Sequence, residues 1–87
     1  MKLYIAEIHN YDALDEYMTS TDVKLFFDIN AFHKWLSEEN ERQQKHGFNL
    51  NEESEDSTGS SYCEFIKKTL HGNKRHAING YYCEVIN

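Results

Sequence analysis

Four side chains in the last third of the chain have the types that metal or thiol chemistry uses: Cys63, His71, His76 and Cys83. Two thiols and two imidazoles form a donor set that zinc accepts. Their spacing is poor for the purpose, with seven, four and six residues intervening and no CxxC or HxxxH knuckle to present two ligands from one turn. Free, reduced thiols are the simpler reading, and no metal, cofactor or Cys63 to Cys83 disulfide is assigned. The carboxylates form a second group. Asp12, Asp15, Glu16 and Asp22, with Glu52, Glu53, Glu55 and Asp56, have no histidine or basic partner at an interpretable spacing. Hydrolysis with a divalent metal would need them to converge in a cleft. As they stand they describe a solvated acidic face, or a row of charges imitating a duplex's phosphates inside a partner's nucleic-acid groove.

The third group is basic. Lys67, Lys68, His71, Lys74, Arg75 and His76 fall within ten residues, and Tyr81 and Tyr82 follow. Cations beside aromatics can neutralise phosphates and stack on bases. No Ser-His-Asp, Cys-His, P-loop or dinucleotide signature occurs, so no catalytic residue is assigned and a non-enzymatic protein is expected.

Length and charge narrow the setting. Eighty-seven residues make a single domain, 1–87, with room for one core but not for a deep enclosed active site as well. Five Phe, six Tyr and one Trp supply much of the burial. The net charge of −6 divides into −8 over residues 1–60 and +2 over residues 61–87, so one side suits a basic partner and the other an anion. The start carries no basic n-region with an apolar h-region, and no apolar run is long enough to span a bilayer. A cytoplasmic location without membrane contact is expected.

These groups must be positioned by the stretch Val23 to Leu36, VKLFFDINAFHKWL. Val23, Leu25 and the Phe26-Phe27 pair read as a strand, with Val23 and Leu25 on the face opposite Lys24. Asp28 is a preferred N-cap. From there the apolar spacing changes to Ile29, Phe32, Trp35 and Leu36, a stripe along one side of a helix. The polar continuation to Lys45 is supported by Glu38/Arg42 and Glu41/Lys45 pairs, and Gly47 marks the stop.

The remaining segments are expected as follows. Met1 to His9 alternates as a central strand, and Asn10 to Asp22 reads as an acidic loop with one helical turn, making the first two strands antiparallel neighbours. Residues 48–60, FNLNEESEDSTGS, read as a mobile acidic loop. Ser61 with Glu64 looks like a capping box, favouring a second short helix over 62–71, although YCEFI at 62–66 echoes YCEVI at 82–86 and leaves a strand open. Asn79-Gly80 is a strong hairpin signal. The sum is an α+β fold, a small antiparallel sheet of about four strands with one main helix on one face, in the order β-β-α-(α)-β-β.

The KLYIAEI start, the KLFFD strand leading into A-F-x-x-W-L, and the terminal YYCEV together resemble short proteins of unknown function encoded by bacteria and their phages. The resemblance implies a small α+β fold and a mobile-element origin, and carries over no active-site residue. The expected function is that of an acidic protein-binding module, an inhibitor or modulator of a host protein with a basic surface. A nucleic-acid-binding or defence factor is the concrete target. Its contact would be the acidic face of Asp12, Asp15, Glu16, Asp22, Glu38 and Glu41. The alternative is nucleic-acid binding through Lys67, Lys68, His71, Lys74, Arg75 and His76.

Overall fold

Alternation along the first strand decides where the core lies. In the computed structural model, which describes residues 1–13 and 18–86, β1 (Lys2–Tyr11) buries Tyr4, Ala6 and Ile8 on one face and leaves Leu3, Ile5, Glu7 and His9 half-buried on the other. It pairs antiparallel with β2 (Met18–Phe26) on one side and with β5 (Gly72–Glu84) on the other. Beyond β5 lie β4 (Ser61–Thr69) and β3 (Asn49–Glu55), giving a five-stranded antiparallel sheet in the order β2-β1-β5-β4-β3. The helix α1 (Ile29–Lys45) joins β2 to β3 and lies on one face. The fold is α+β, as the sequence implies.

The organising stretch folds as its pattern demands. Asp28 caps α1 by accepting the Ala31 N–H at 2.8 Å. Phe32 is fully buried, while Ile29, Trp35 and Leu36 pack beside it on the sheet. The Phe32 ring lies 4.6 Å from that of Tyr4, and Phe26 meets it edge-on at 5.7 Å, within the range in which aromatic pairs attract. Gly47 ends the helix at φ 87°, its N–H donating to the Gln44 carbonyl.

Several expectations need correction: the sheet has five strands rather than about four, in the order β-β-α-β-β-β, and Asn10, Tyr11 and the residues from Met18 to Asp22, read as loop, lie in β1 and β2. Residues 49–55, read as part of a loop, form edge strand β3. Its NLNEESE sequence has little apolar patterning, because an edge strand is recruited by its neighbour's backbone N–H and C=O groups more than by its own side chains. The segment 62–71 belongs to β4 and the turn after it, not to a helix. Its two-residue alternation sends Cys63 and Phe65 into the core, and Glu64 turns to the far face to accept the Tyr62 hydroxyl at 2.7 Å. Asn79-Gly80 lies inside β5, and the β4–β5 connection is instead at Leu70-His71. Gly80 answers to packing: a Cβ there would stand 2.8 Å from the Tyr4 ring and 2.7 Å from Ser61 Oγ.

Coverage of the sheet is uneven. A helix is about 10 Å wide, whereas five strands about 4.8 Å apart span roughly twice that. One helix therefore leaves part of its own face open toward β3 and β4, and nothing among the described residues covers the opposite face. On that far face β2 displays Val23 and Leu25, 51% and 61% exposed. Lys24 turns toward α1 and sits 6.0 Å from the Trp35 ring.

Candidate functional site

Among the described residues, the acidic positions singled out by sequence are spread over the end of β1, β2 and α1. Asp15 and Glu16 lie outside the described residues. Asp12 follows β1, and Asp22 accepts the Val23 N–H at 2.8 Å within β2. Glu38 is 4.0 Å from Arg42 along the helix. Glu41 is exposed, on the side of α1 opposite Phe32 by the helical period of about 3.6 residues.

The basic run is divided as well. Lys67 and Lys74 face each other across the β4–β5 ladder, and Lys68 stands opposite Asn73. Arg75 lies 4.4 Å above the Tyr11 ring and 4.0 Å from Glu64. His76 is buried beneath α1, and His71 is at the exposed hairpin tip. The tyrosines that would stack on bases are engaged: Tyr81 donates its hydroxyl to Glu7, and Tyr82 packs edge-on against Tyr4 with the centroids 4.9 Å apart. The two cysteines point to opposite faces, since Cys63 shares a face with Ile78 and Cys83 pairs with Leu3 on the other. Both are free thiols, and no cluster of metal-ligating side chains forms among the described residues.

What the fold does build is a groove. The open flank of α1 supplies His33, Leu36, Ser37 and Asn40, β3 supplies Leu50 and Glu53, and Cys63 and Phe65 of β4 line it too, around a volume of about 260 Å³. A contiguous recess of about 270 Å³ shares His33, Leu36, Glu53 and Cys63 and runs on past Glu55 and Tyr62. Leu36, Leu50 and Phe65 make part of the lining apolar, and acceptors stand among them. The Asn40 Oδ1 is buried there with no hydrogen-bond partner among the described residues.

Electrostatics give the groove its sign. The carboxylates of Glu53 and Glu55 are exposed on its β3 side and make no side-chain hydrogen bond or ion pair among the described residues. By contrast Glu7, Glu39 and Glu64 are held by Tyr81, Arg42 and Tyr62 respectively. Asp56 tightens the turn after β3 by accepting from Thr58 and Ser60. Burial, reinforced by the charges of Glu53 and Glu39, pushes the Cys63 thiol up to about 12. With that value the thiol stays protonated near neutral pH.

The acidity of residues 48–60 is visible in the sequence, but not its placement. Nothing in NLNEESE announces a strand, so the alignment of Glu53 and Glu55 along one wall, with Asn40 nearby, was not legible. No protein-family model, curated protein or solved structure matches this chain.

Proposed function

We propose that this protein is a non-enzymatic, acidic protein-binding module that seats a basic segment of a partner protein in the groove between α1 and β3–β4. The supporting observation is that Glu53 and Glu55, exposed and without ion pairs among the described residues, stand along a partly apolar groove. Lysine and arginine fit such a place: their stems pack on Leu36 and Leu50 while the charged heads reach the carboxylates and the Asn40 oxygen. A host factor with a basic nucleic-acid-binding surface supplies that chemistry, and a phage or mobile-element inhibitor of such a factor is the role we assign. Nucleic-acid binding through residues 67–76 has less support, because Arg75, His76, Tyr81 and Tyr82 are already engaged within the fold.

The test is fluorescence anisotropy with a labelled arginine- and lysine-rich peptide and, separately, a labelled DNA duplex, each at low and raised ionic strength. The peptide is expected to bind the wild-type protein. The double variant Glu53→Gln/Glu55→Gln should weaken it by about tenfold, two exposed pairs of up to about 1 kcal/mol each. The Asp22→Asn/Glu38→Gln variant should bind as the wild type does. Equal binding by all three proteins, or tight and steeply salt-dependent duplex binding, would overturn the reading.

A further inference from the structure

The sheet face away from α1 has no covering layer among the described residues, and its composition differs from the rest of the surface. Register places Leu3 and Ile5 of β1, Val23 and Leu25 of β2, and Tyr81 and Cys83 of β5 together on it. Val23 and Leu25 are more than half exposed, although a one-residue shift in the strand's alternation would have turned them to the core face. Isolated exposed apolar residues are ordinary, but a contiguous group on one sheet face marks an interface.

The charges on this face are largely satisfied from within. Glu7 accepts the Tyr81 hydroxyl and stands 3.5 Å from His9. Glu64 accepts from Tyr62 and Asn51 and faces Arg75. The carboxylates of Glu53 and Glu55 belong to the helix side and that of Glu41 to the outer surface of α1, while exposed Glu52, opposite Glu64 on the edge strand, is on the open face but separated from β1 by β5 and β4. A chain of net charge −6 therefore meets the least repulsion from another copy of itself across the open face.

We infer that the protein forms a two-fold homodimer by packing the open faces of two sheets together, with the Leu3, Ile5, Val23, Leu25 and Tyr81 patch of each copy against the same patch of its mate. An isologous contact needs a self-complementary surface, which an apolar patch with paired charges around it provides. Stacked sheets bring their inner side chains together at a separation of about 10 Å. Strand spacing and rise give the face a projected area of roughly 500 Å². Side-chain relief raises the accessible area above that, so two copies approach the ~1,200 Å² at which stable interfaces begin. The groove lies on the opposite side of the sheet, so the dimer would present two outward-facing grooves. The inference is independent of what those grooves bind.

Sedimentation equilibrium of the reduced full-length protein over a range of concentrations tests it, beside Leu25→Glu and the Glu53→Gln/Glu55→Gln variant. Circular dichroism and thermal unfolding confirm that each remains folded; Leu25 is exposed, so its replacement leaves the core intact. Wild type and the groove variant are expected to be dimers, and Leu25→Glu a monomer. Alkylation of Cys83 should slow as wild-type concentration rises and stay constant in Leu25→Glu. A wild type that remains monomeric at the highest concentration, or a dimer that survives Leu25→Glu, would overturn the inference.

Discussion

The Nε2 of His76 lies 3.8 Å from Oε1 of Glu39 beneath α1, both side chains are buried, and this nitrogen has no hydrogen-bond partner among the described residues. The other ring nitrogen, Nδ1, is 2.6 Å from the Asn10 Oδ1. With the carbonyl oxygen of Asn10 as acceptor, Nδ1 carries the proton in the neutral ring and Nε2 turns a lone pair toward a carboxylate. Glu39 is held in turn by Arg42 at 2.9 Å and Gln43 at 2.7 Å, and Phe48 and Phe65 flank the imidazole. Helix and sheet thus meet at a buried polar contact whose strength depends on one proton.

Acid should weaken the fold through this contact. Burial, offset in part by the charge of Glu39, holds His76 below the ordinary imidazole value. The unfolded chain then binds a proton that the folded one resists, and stability falls as pH drops through about 6.5 toward the lowered folded value. Glu39 adds a second loss at lower pH. Burial alone would raise its carboxyl, but the hydrogen bonds from Arg42 and Gln43 and the charges of Arg42 and His76 outweigh that and hold it down. Its contribution disappears as pH falls through the folded value. Urea unfolding midpoints measured from pH 7.5 down to 4 should show both losses, with His76→Gln flattening the upper one. A His76 ring that titrates above 6.5 by NMR would contradict this account.

Gly80→Ala should destabilise the protein by about 1–3 kcal/mol, the usual cost of overpacking. The added methyl group would meet the Tyr4 ring and Ser61, neither of which is free to withdraw. Tyr4 is fully buried and donates its hydroxyl to the Gly59 carbonyl at 2.6 Å, tying β1 to the β3–β4 turn. Tyr4→Phe should itself cost about 1 kcal/mol. Chemical unfolding of each variant reads these changes, and an unaltered Gly80→Ala midpoint would mean that the tyrosine moves without cost.

Asp28→Ala should lower stability by about 1 kcal/mol, because the first turn of α1 loses the carboxylate that accepts from Ala31. Asp28→Ser should recover most of the loss, since serine can cap the same amide. Equal unfolding midpoints for the alanine and serine variants would show that the cap contributes nothing.

The thiols should differ sharply in reactivity. In dilute native protein a thiol reagent is expected to modify Cys83 and spare Cys63, which is buried and has its pKa pushed up to about 12. Two equivalents should react after denaturation, one per cysteine. Rapid native modification of Cys63 would show that the groove opens further than its static shape suggests.

Local chemistry alone fixed several elements of this protein. The change from two-residue to helical spacing at Asp28, the aromatic stripe of Phe32 and Trp35, the glycine stop at Gly47 and the alternation of β1 each depend on neighbours a few residues away, so the linear chain carries them in full. Tertiary structure decided the rest. Gly80 sits within a strand because the Tyr4 ring, far away in sequence, occupies the space over it. NLNEESE became a strand because β4 offered it an unpaired backbone edge. The basic run was split because adjacent strand residues point to opposite faces, sending Arg75 to the open side and His76 into the core. The groove exists because a single helix is narrower than five strands, and that mismatch of widths appears only once both layers are assembled.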